Sequence, residues 1–242
     1  METVASTGPT DYHAQLRQLM EELTSCHRCP RLVAWRQLVA EVKVKRFAQE
    51  LYWGRPVPSF GDPDARLLVL GLAPAAHGGN RTGRVFTGDR SGDWLYRALH
   101  RAGFASQPES LNLSDGLYLK NCYIAAVAHC APPENKLLPS EVLNCHPYLV
   151  RELELLTRLK VVVALGKIAW DALLREPQFA MPKGMPKPKF GHGLVVDFPN
   201  GLYLIGSYHP SQQNTFTGKL TEPMFDAVFT QVKRILEDSK SD

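Results

Sequence analysis

The sequence predicts a single-domain α/β fold. Three observations carry this reading: strand-sized, wholly apolar runs at 67–70 and 161–165, helix-period stretches alternating with them, and no internal repeat or linker-like segment. A length of 242 residues leaves one large or two small domains open. Without a linker, one domain over 1–242 is preferred, with 1–10 expected to be flexible. A composition of 44% hydrophobic and 21% charged residues excludes fibrous and disordered classes and supplies a substantial core.

The elements follow in order. Residues 12–26 place Leu16, Leu19, Met20 and Leu23 at helical spacing and run into Cys26-His-Arg-Cys29-Pro, so a helix delivers two cysteines to a turn. A second helical stretch spans 32–47, and 53–63 holds too many Gly and Pro for anything but an ordered loop. Residues 66–74 read as a strand apolar on both faces, as central parallel strands are, ending in a Gly/Ala/Pro turn. The longest polar, glycine-rich loop follows at 75–92. Next comes a helix over 92–102, with Trp94, Leu95, Ala98 and Leu99 inward and Ser91 as its N-cap. A strand at 123–128 precedes a helical stretch at 139–156 that Pro147 should interrupt. Residues 161–165 are a second apolar strand and 167–174 a short helix. The segment 176–190, with four Pro and three Lys, is a loop or flap. Strands at 194–198 and 202–207 flank an Asn200-Gly201 turn, and a last helix at 222–237 carries an apolar stripe including Phe225, Val228, Phe229 and Val232.

The charge balance, 28 Lys+Arg against 24 Asp+Glu, permits a nucleic-acid partner without requiring one, because clustering rather than the total decides phosphate binding. Five cysteines, an odd number, and an N-terminus without an apolar signal segment argue against a secreted disulfide scaffold. A cytoplasmic protein is expected. No run approaches the roughly 20 apolar residues of a membrane span. Cys26 and Cys29 have the spacing of adjacent metal ligands, Cys130 and Cys145 are candidate partners far downstream, and Cys122 is the spare. Zinc, a four-iron cluster and free buried thiols all remain compatible with that arithmetic.

The segment 71–92 sets small residues against a strand end, then an aromatic, then an acid at a helix start. This suits a base-binding pocket: a flat ring lies under Phe86, amides around Ala73, Pro74 and Ala75 donate to its carbonyl oxygens, and Asp89 faces the sugar. His209 stands at a strand end ahead of a polar loop.

These residues resemble the uracil-DNA glycosylase superfamily and, within it, the iron-sulfur B-type branch, or family five. The markers are Cys26-His-Arg-Cys29-Pro-Arg-Leu-Val, the 71–92 loop, Cys130-Ala-Pro-Pro-Glu-Asn-Lys with Cys145, and the His209-Pro-Ser loop. The resemblance covers nearly the whole chain. It implies a three-layer α/β/α sandwich with a central four-stranded, mainly parallel sheet. It also implies a 4Fe-4S cluster on Cys26, Cys29, Cys130 and Cys145. The implied partner is double-stranded DNA containing uracil or another deaminated base, met by a monomer that is nucleoid-associated when bound. The related A-type enzymes carry an acid after the first loop glycine and an Asn in the strand before the third cluster cysteine. Here Leu72 and Ala126 stand in those places. The B-type branch lacks both, and its catalytic acid maps onto Asp89.

Hydrolysis of an N-glycosidic bond develops positive charge on the sugar and negative charge on the departing base, so negative charge is needed near C1′ and donors near the base. Asp89 and His209 fit these needs as the catalytic pair, with Phe86 as stacking platform and Asn135 reaching the pocket or the DNA. Plainer roles compete: Asp89 as a helix-start acid, His209 as a turn residue, Phe86 as core, and Asn135 as a turn former, with the same alternative open for His77 and Asn80. Arg81, Arg84, Lys183, Lys187, Lys189 and Lys219 form the expected DNA footprint, and Phe216 in the 211–219 loop is the candidate wedge. No lysine sits in the two catalytic loops except Lys219 at their edge, so the expected enzyme is monofunctional. A non-catalytic iron-sulfur or zinc DNA-binding module and an iron-sulfur electron carrier are the competing classes.

Overall fold

The computed structural model describes residues 11–239; the flexible 1–10 segment expected from sequence lies outside the described residues. Helices α1 (Asp11–Thr24) and α2 (Pro30–Val42) lead into strands β1 (Phe60–Gly61) and β2 (Leu67–Gly71). Then come the short α3 (Gly79–Thr82), α4 (Arg90–Ala102), β3 (Cys122–Ala126), α5 (Pro139–Leu155), β4 (Val161–Leu165) and α6 (Lys167–Leu173). The hairpin β5 (Val195–Asp197) and β6 (Tyr203–Ser207), the short α7 (Gln212–Phe216) and α8 (Glu222–Asp238) close the chain. Among the described residues no helix is long and apolar enough to cross a membrane.

Every residue of β2, β3 and β4 is buried, which is why these segments are apolar throughout rather than alternating. The sheet order is β1-β3-β2-β4-β6-β5, with β3, β2, β4 and β6 mutually parallel. The four-stranded expectation is thus met by the parallel core and exceeded by two short antiparallel edges. One of them, β1, comes from the stretch expected to be loop; two residues are too few to show a period. The other pairs Asp197 with Tyr203 across the turn at Gly201, whose φ of 77° is costless for glycine.

Alternate sheet residues divide the core in two. Leu67, Val69, Ile124, Val163 and Ile205 pack with α4 and α8 on one face. Leu68, Leu70, Ala125, Val162 and Leu204 pack with α1, α5 and α6 on the other. Each fully buried large side chain contributes roughly 1.5–3 kcal/mol relative to exposure, and both helix layers are needed to cover a sheet with no polar face. The α/β/α sandwich follows.

Two helix expectations are corrected. The second helix ends at Val42, where Lys43 turns left-handed (φ 55°), and only a 3-10 turn at Lys45–Phe47 continues it. Helix α5 runs unbroken through Pro147. The hydrogen bond that proline removes is the one to the carbonyl of Leu143, an exposed residue (65%), while Tyr148, Leu149 and Leu153 keep the helix on the core.

Candidate active site

The loops after β2, β3 and β6 meet outside the carboxyl ends of the parallel strands, where the order reverses on either side of β2, the usual place for a ligand crevice. They enclose a cavity of about 630 Å³ that brings together Ala73, Pro74, Ala75, Phe86, Asp89, Asn135 and His209. All seven non-cysteine residues expected at the site are therefore neighbours, although they span more than half the chain.

Phe86 is held in a conformation that bulky residues rarely adopt, with φ 51°. Two glycines make room for it. A Cβ on Gly71 would stand 2.6 Å from the ring, and one on Gly92 would fall 1.8 Å from the Phe86 carbonyl oxygen. Hydrogen bonds from behind complete the restraint: the Tyr96 hydroxyl donates to the Val85 carbonyl at 2.9 Å, and the Thr87 and Ser110 hydroxyls meet at 2.6 Å. The ring is half-buried and lies 5.8 Å, centroid to centroid, from the His209 ring, so both present surface to one space.

Asp89, not Ser91, is the N-cap of α4: its Oδ1 accepts from the Gly92 amide at 3.0 Å. The helix begins two residues earlier than expected because either residue type can cap and the aspartate reaches the free amides first. Its other oxygen is packed over Gly78, where a Cβ would lie 2.2 Å from Oδ2. Burial raises the carboxyl above the usual aspartate value, and the Gly92 and Ser91 amides offset part of that. The plainer reading of Asp89 as a helix-start acid is thus true, and the same carboxylate also lines the cavity.

His209 follows β6 directly. Asn214 donates to its carbonyl at 2.9 Å, and a Cβ on Gly166, whose φ is 97°, would lie 3.7 Å from the His209 Cβ, an ordinary contact. Burial alone lowers its imidazole to about 4, so the ring is neutral at physiological pH and carries one N–H donor. Of Ala73, Pro74 and Ala75, only the two alanines have amides to offer, because Pro74 has none. Leu72 and Ala126 both face the cavity, so the two positions singled out as non-polar do border the site. Asn135 lies at the exposed rim with φ 57°, just after Glu134 at φ 53°, two successive left-handed non-glycine residues. Asn80 and His77 do not join the cavity lining. Asn80 is fully buried and bonds the Arg36 and Ala76 carbonyls, and His77 Nδ1 meets the Tyr52 hydroxyl at 3.0 Å.

The expected DNA footprint is partly overturned. Arg81 pairs with Glu50, donates to the His77 carbonyl at 2.8 Å and stacks over Phe47. Arg84 is buried against Asp115, with both carboxylate oxygens at 2.9 Å. All four lysines, Lys183, Lys187, Lys189 and Lys219, are exposed, though Lys187 donates to the Leu174 carbonyl at 2.7 Å and Lys219 lies over the Tyr208 ring. Phe216, 68% exposed, does not pack inward; it ends α7 beside the cavity. Sequence reasoning missed Arg90, Glu134, Ser211, Gln212 and Gln213 in the lining. Arg90, adjoining Asp89, was the one with a legible signal.

On the opposite side of the loop after β3, Cys26, Cys29, Cys130 and Cys145 line a separate small cavity, and Cys122 is buried apart from them in β3. Among the described residues no three His, Cys, Asp or Glu side chains form a ready site for a single ion. The four thiols surround a space instead of closing on a point. Arg36, 1% exposed, donates to Cys130 Sγ at 2.8 Å and to the Cys26 carbonyl at 3.2 Å, and its Nε is buried without a partner. Burial raises the Cys130 thiol to about 11 against the opposing pull of Arg36, and raises Cys145 to about 12.

The sequence pattern of the Uracil DNA glycosylase superfamily matches residues 58–233. A type-5 uracil-DNA glycosylase of Mycobacterium tuberculosis is 52% identical over 214 residues, 88% of this chain and 79% of its own. One of Thermus thermophilus is 50% identical over 216 residues, 89% of this chain and 96% of its own. A type-4 uracil-DNA glycosylase of Thermotoga maritima is 27% identical over 178 residues, 72% of this chain and 81% of its own. With the parallel core, the crevice at its carboxyl end and these matches all in agreement, the chain belongs to the uracil DNA glycosylase superfamily.

Proposed function

We propose that this chain excises uracil from double-stranded DNA by hydrolysing the N-glycosidic bond, with Asp89 and His209 as the catalytic pair. One observation carries the reading: a half-buried carboxylate and a neutral imidazole face one cavity whose aromatic wall, Phe86, is locked in place. The extruded base stacks on Phe86. The Ala73 and Ala75 amides and the His209 N–H take up the charge that develops on the base oxygen, and a neutral donor performs this without giving up a proton. Asp89, ionised above its raised pKa, holds the attacking water and stabilises the cationic sugar. Incubating the protein with a duplex holding uracil opposite guanine is expected to release free uracil, detected by mass spectrometry. Absence of release by the wild type would remove the enzyme reading.

Base selection follows from Leu72 and Ala126. Neither hydrogen-bonds the pyrimidine edge, and strong rejection of a wrong base requires a polar partner that the wrong base leaves unpaired. Other deaminated bases, hypoxanthine among them, are therefore accepted. Ala126→Asn is expected to lower the ratio of hypoxanthine to uracil excision at least tenfold, on the order of the discrimination one buried hydrogen bond supplies. An unchanged ratio would exclude this account.

The four thiols fit a 4Fe-4S cluster. They surround a cavity, and the buried Arg36 guanidinium beside Cys130, with Arg28 also in the lining, offsets thiolate charge there. Cys26, Cys29, Cys130 and Cys145 would hold it, and the group would supply cross-linking, tying the α1–α2 turn to α5 and the loop after β3. Aerobic oxidation or Cys130→Ala is expected to bleach the visible absorption of such a cluster and to lower the melting temperature. A colourless protein binding one zinc per chain would decide against iron.

A further inference from the structure

Arg90 occupies an unfavourable place for a cation. It is the first residue of α4, where the helix dipole and the free amides favour negative charge. Its guanidinium is nevertheless held in one orientation. Nε donates to Thr215 Oγ1 at 3.1 Å, and the group lies over the Phe216 ring, 4.3 Å from its centroid. Both terminal amino groups are left without an acceptor among the described residues, and no carboxylate pairs with them there. Arg81 and Arg84, by contrast, are each matched to an acid. Arg90 is also the one Lys or Arg in the described lining of the cavity, which holds two acids, Asp89 and Glu134.

The ring of a nucleobase is neutral and gives a rim guanidinium nothing to balance. The anion that accompanies every nucleotide is its phosphodiester, and an extruded nucleotide brings one on each side of its sugar to the mouth of the pocket. Asp89 faces that sugar, and Arg90 is the next residue, about 3.8 Å along the backbone. We propose that Arg90 binds a phosphodiester flanking the extruded nucleotide, its two free amino groups donating to the non-bridging oxygens. Thr215 and Phe216 pre-orient the fork, so little side-chain freedom is lost on binding. The contact also offsets the repulsion that Asp89 exerts on an arriving phosphate, Glu134 being already paired with Lys136 at 3.1 Å. This inference rests on the proposed glycosylase function for its polymer.

The test uses a fluorescein-labelled duplex with 2′-fluoro-2′-deoxyuridine opposite guanine, whose fluorine disfavours the cationic sugar and prevents cleavage. Affinity is read by anisotropy across a salt series. Arg90→Gln is expected to flatten the log–log salt dependence by about 0.9, one phosphate contact, and Arg90→Lys is expected to restore the slope. Replacing the phosphates beside the uridine by neutral methylphosphonates, one at a time, should weaken the wild type at one position and leave Arg90→Gln unaffected there. A weaker Arg90→Gln with an unchanged slope would mean that Arg90 only seats α7 and would overturn the proposal, as would equal methylphosphonate losses in both proteins. Release of uracil by the wild type is scored separately, so an enzyme that excises uracil but shows no Arg90 slope effect defeats the phosphate contact alone.

Discussion

Asp89→Asn is expected to reduce uracil release by about 10²–10⁴-fold, the contribution typical of a positioned general base, while the melting temperature stays level or rises. The two outcomes separate because Asp89 does two things. As N-cap it accepts from the Gly92 amide, and asparagine caps as well as aspartate. As a half-buried carboxylate with a raised pKa, it carries a desolvation cost when ionised that the amide does not. Alanine is the poorer probe, since losing the cap costs about 0.5–2 kcal/mol by itself. The wild-type rate is expected to fall toward acid as Asp89 protonates, at a pH above the ordinary aspartate range. His209, lowered to about 4, stays neutral across neutral and alkaline pH and adds no alkaline limb. A variant that melts normally and still releases uracil at the wild-type rate would take Asp89 out of the reaction.

That a single loop carries both the cap and the acid explains why so much of the site was legible in the sequence. Small residues after an apolar strand, an aromatic, and an acid before a helix are local features, and the structure keeps them local. The parallel core was equally legible, because strands buried on both faces must be apolar at every position. What escaped was non-local. Arg81 and Arg84 read as loop cations free for DNA, yet each is neutralised by an acid 31 residues away, Glu50 and Asp115, with no periodic signal joining them. The passage of α5 through Pro147 was hidden for a related reason. Intrinsic propensity predicts a break, and the tertiary contacts that override it come from α1 and the sheet, distant in sequence. The unusual φ of Phe86 is likewise set by Gly71 and Gly92 on either side of the loop.

The Arg84–Asp115 pair gives the largest expected effect on stability. Both side chains are about 5% exposed or less, and Asp115 also accepts from the Leu111, Asn112 and Leu117 amides at 2.7, 3.2 and 3.0 Å. Burial by itself would raise the Asp115 carboxyl, but those amides and the Arg84 guanidinium outweigh it and hold the group below the usual range. Asp115→Ala strands the Arg84 charge in the interior and is expected to cost about 3–5 kcal/mol, or roughly 10 °C in melting temperature for a chain of this size. Because the wild-type carboxyl is lowered, its contribution is complete above the unfolded aspartate value of about 3.9 and disappears only as pH falls through the lower folded value. The variant should therefore trail the wild type in urea melts at every pH down to that range and converge with it below. Catalysis should suffer as well, since Arg84 begins the short segment that carries Phe86 and Asp89. Removing both charges while keeping an acceptor for those amides, with Arg84→Met and Asp115→Asn together, is expected to recover most of the lost stability, because no unpaired charge remains. A loss below about 1 kcal/mol in Asp115→Ala, the scale of a solvent-screened surface pair, would show that the Thr87–Ser110 and Tyr96–Val85 hydrogen bonds hold the loop without it.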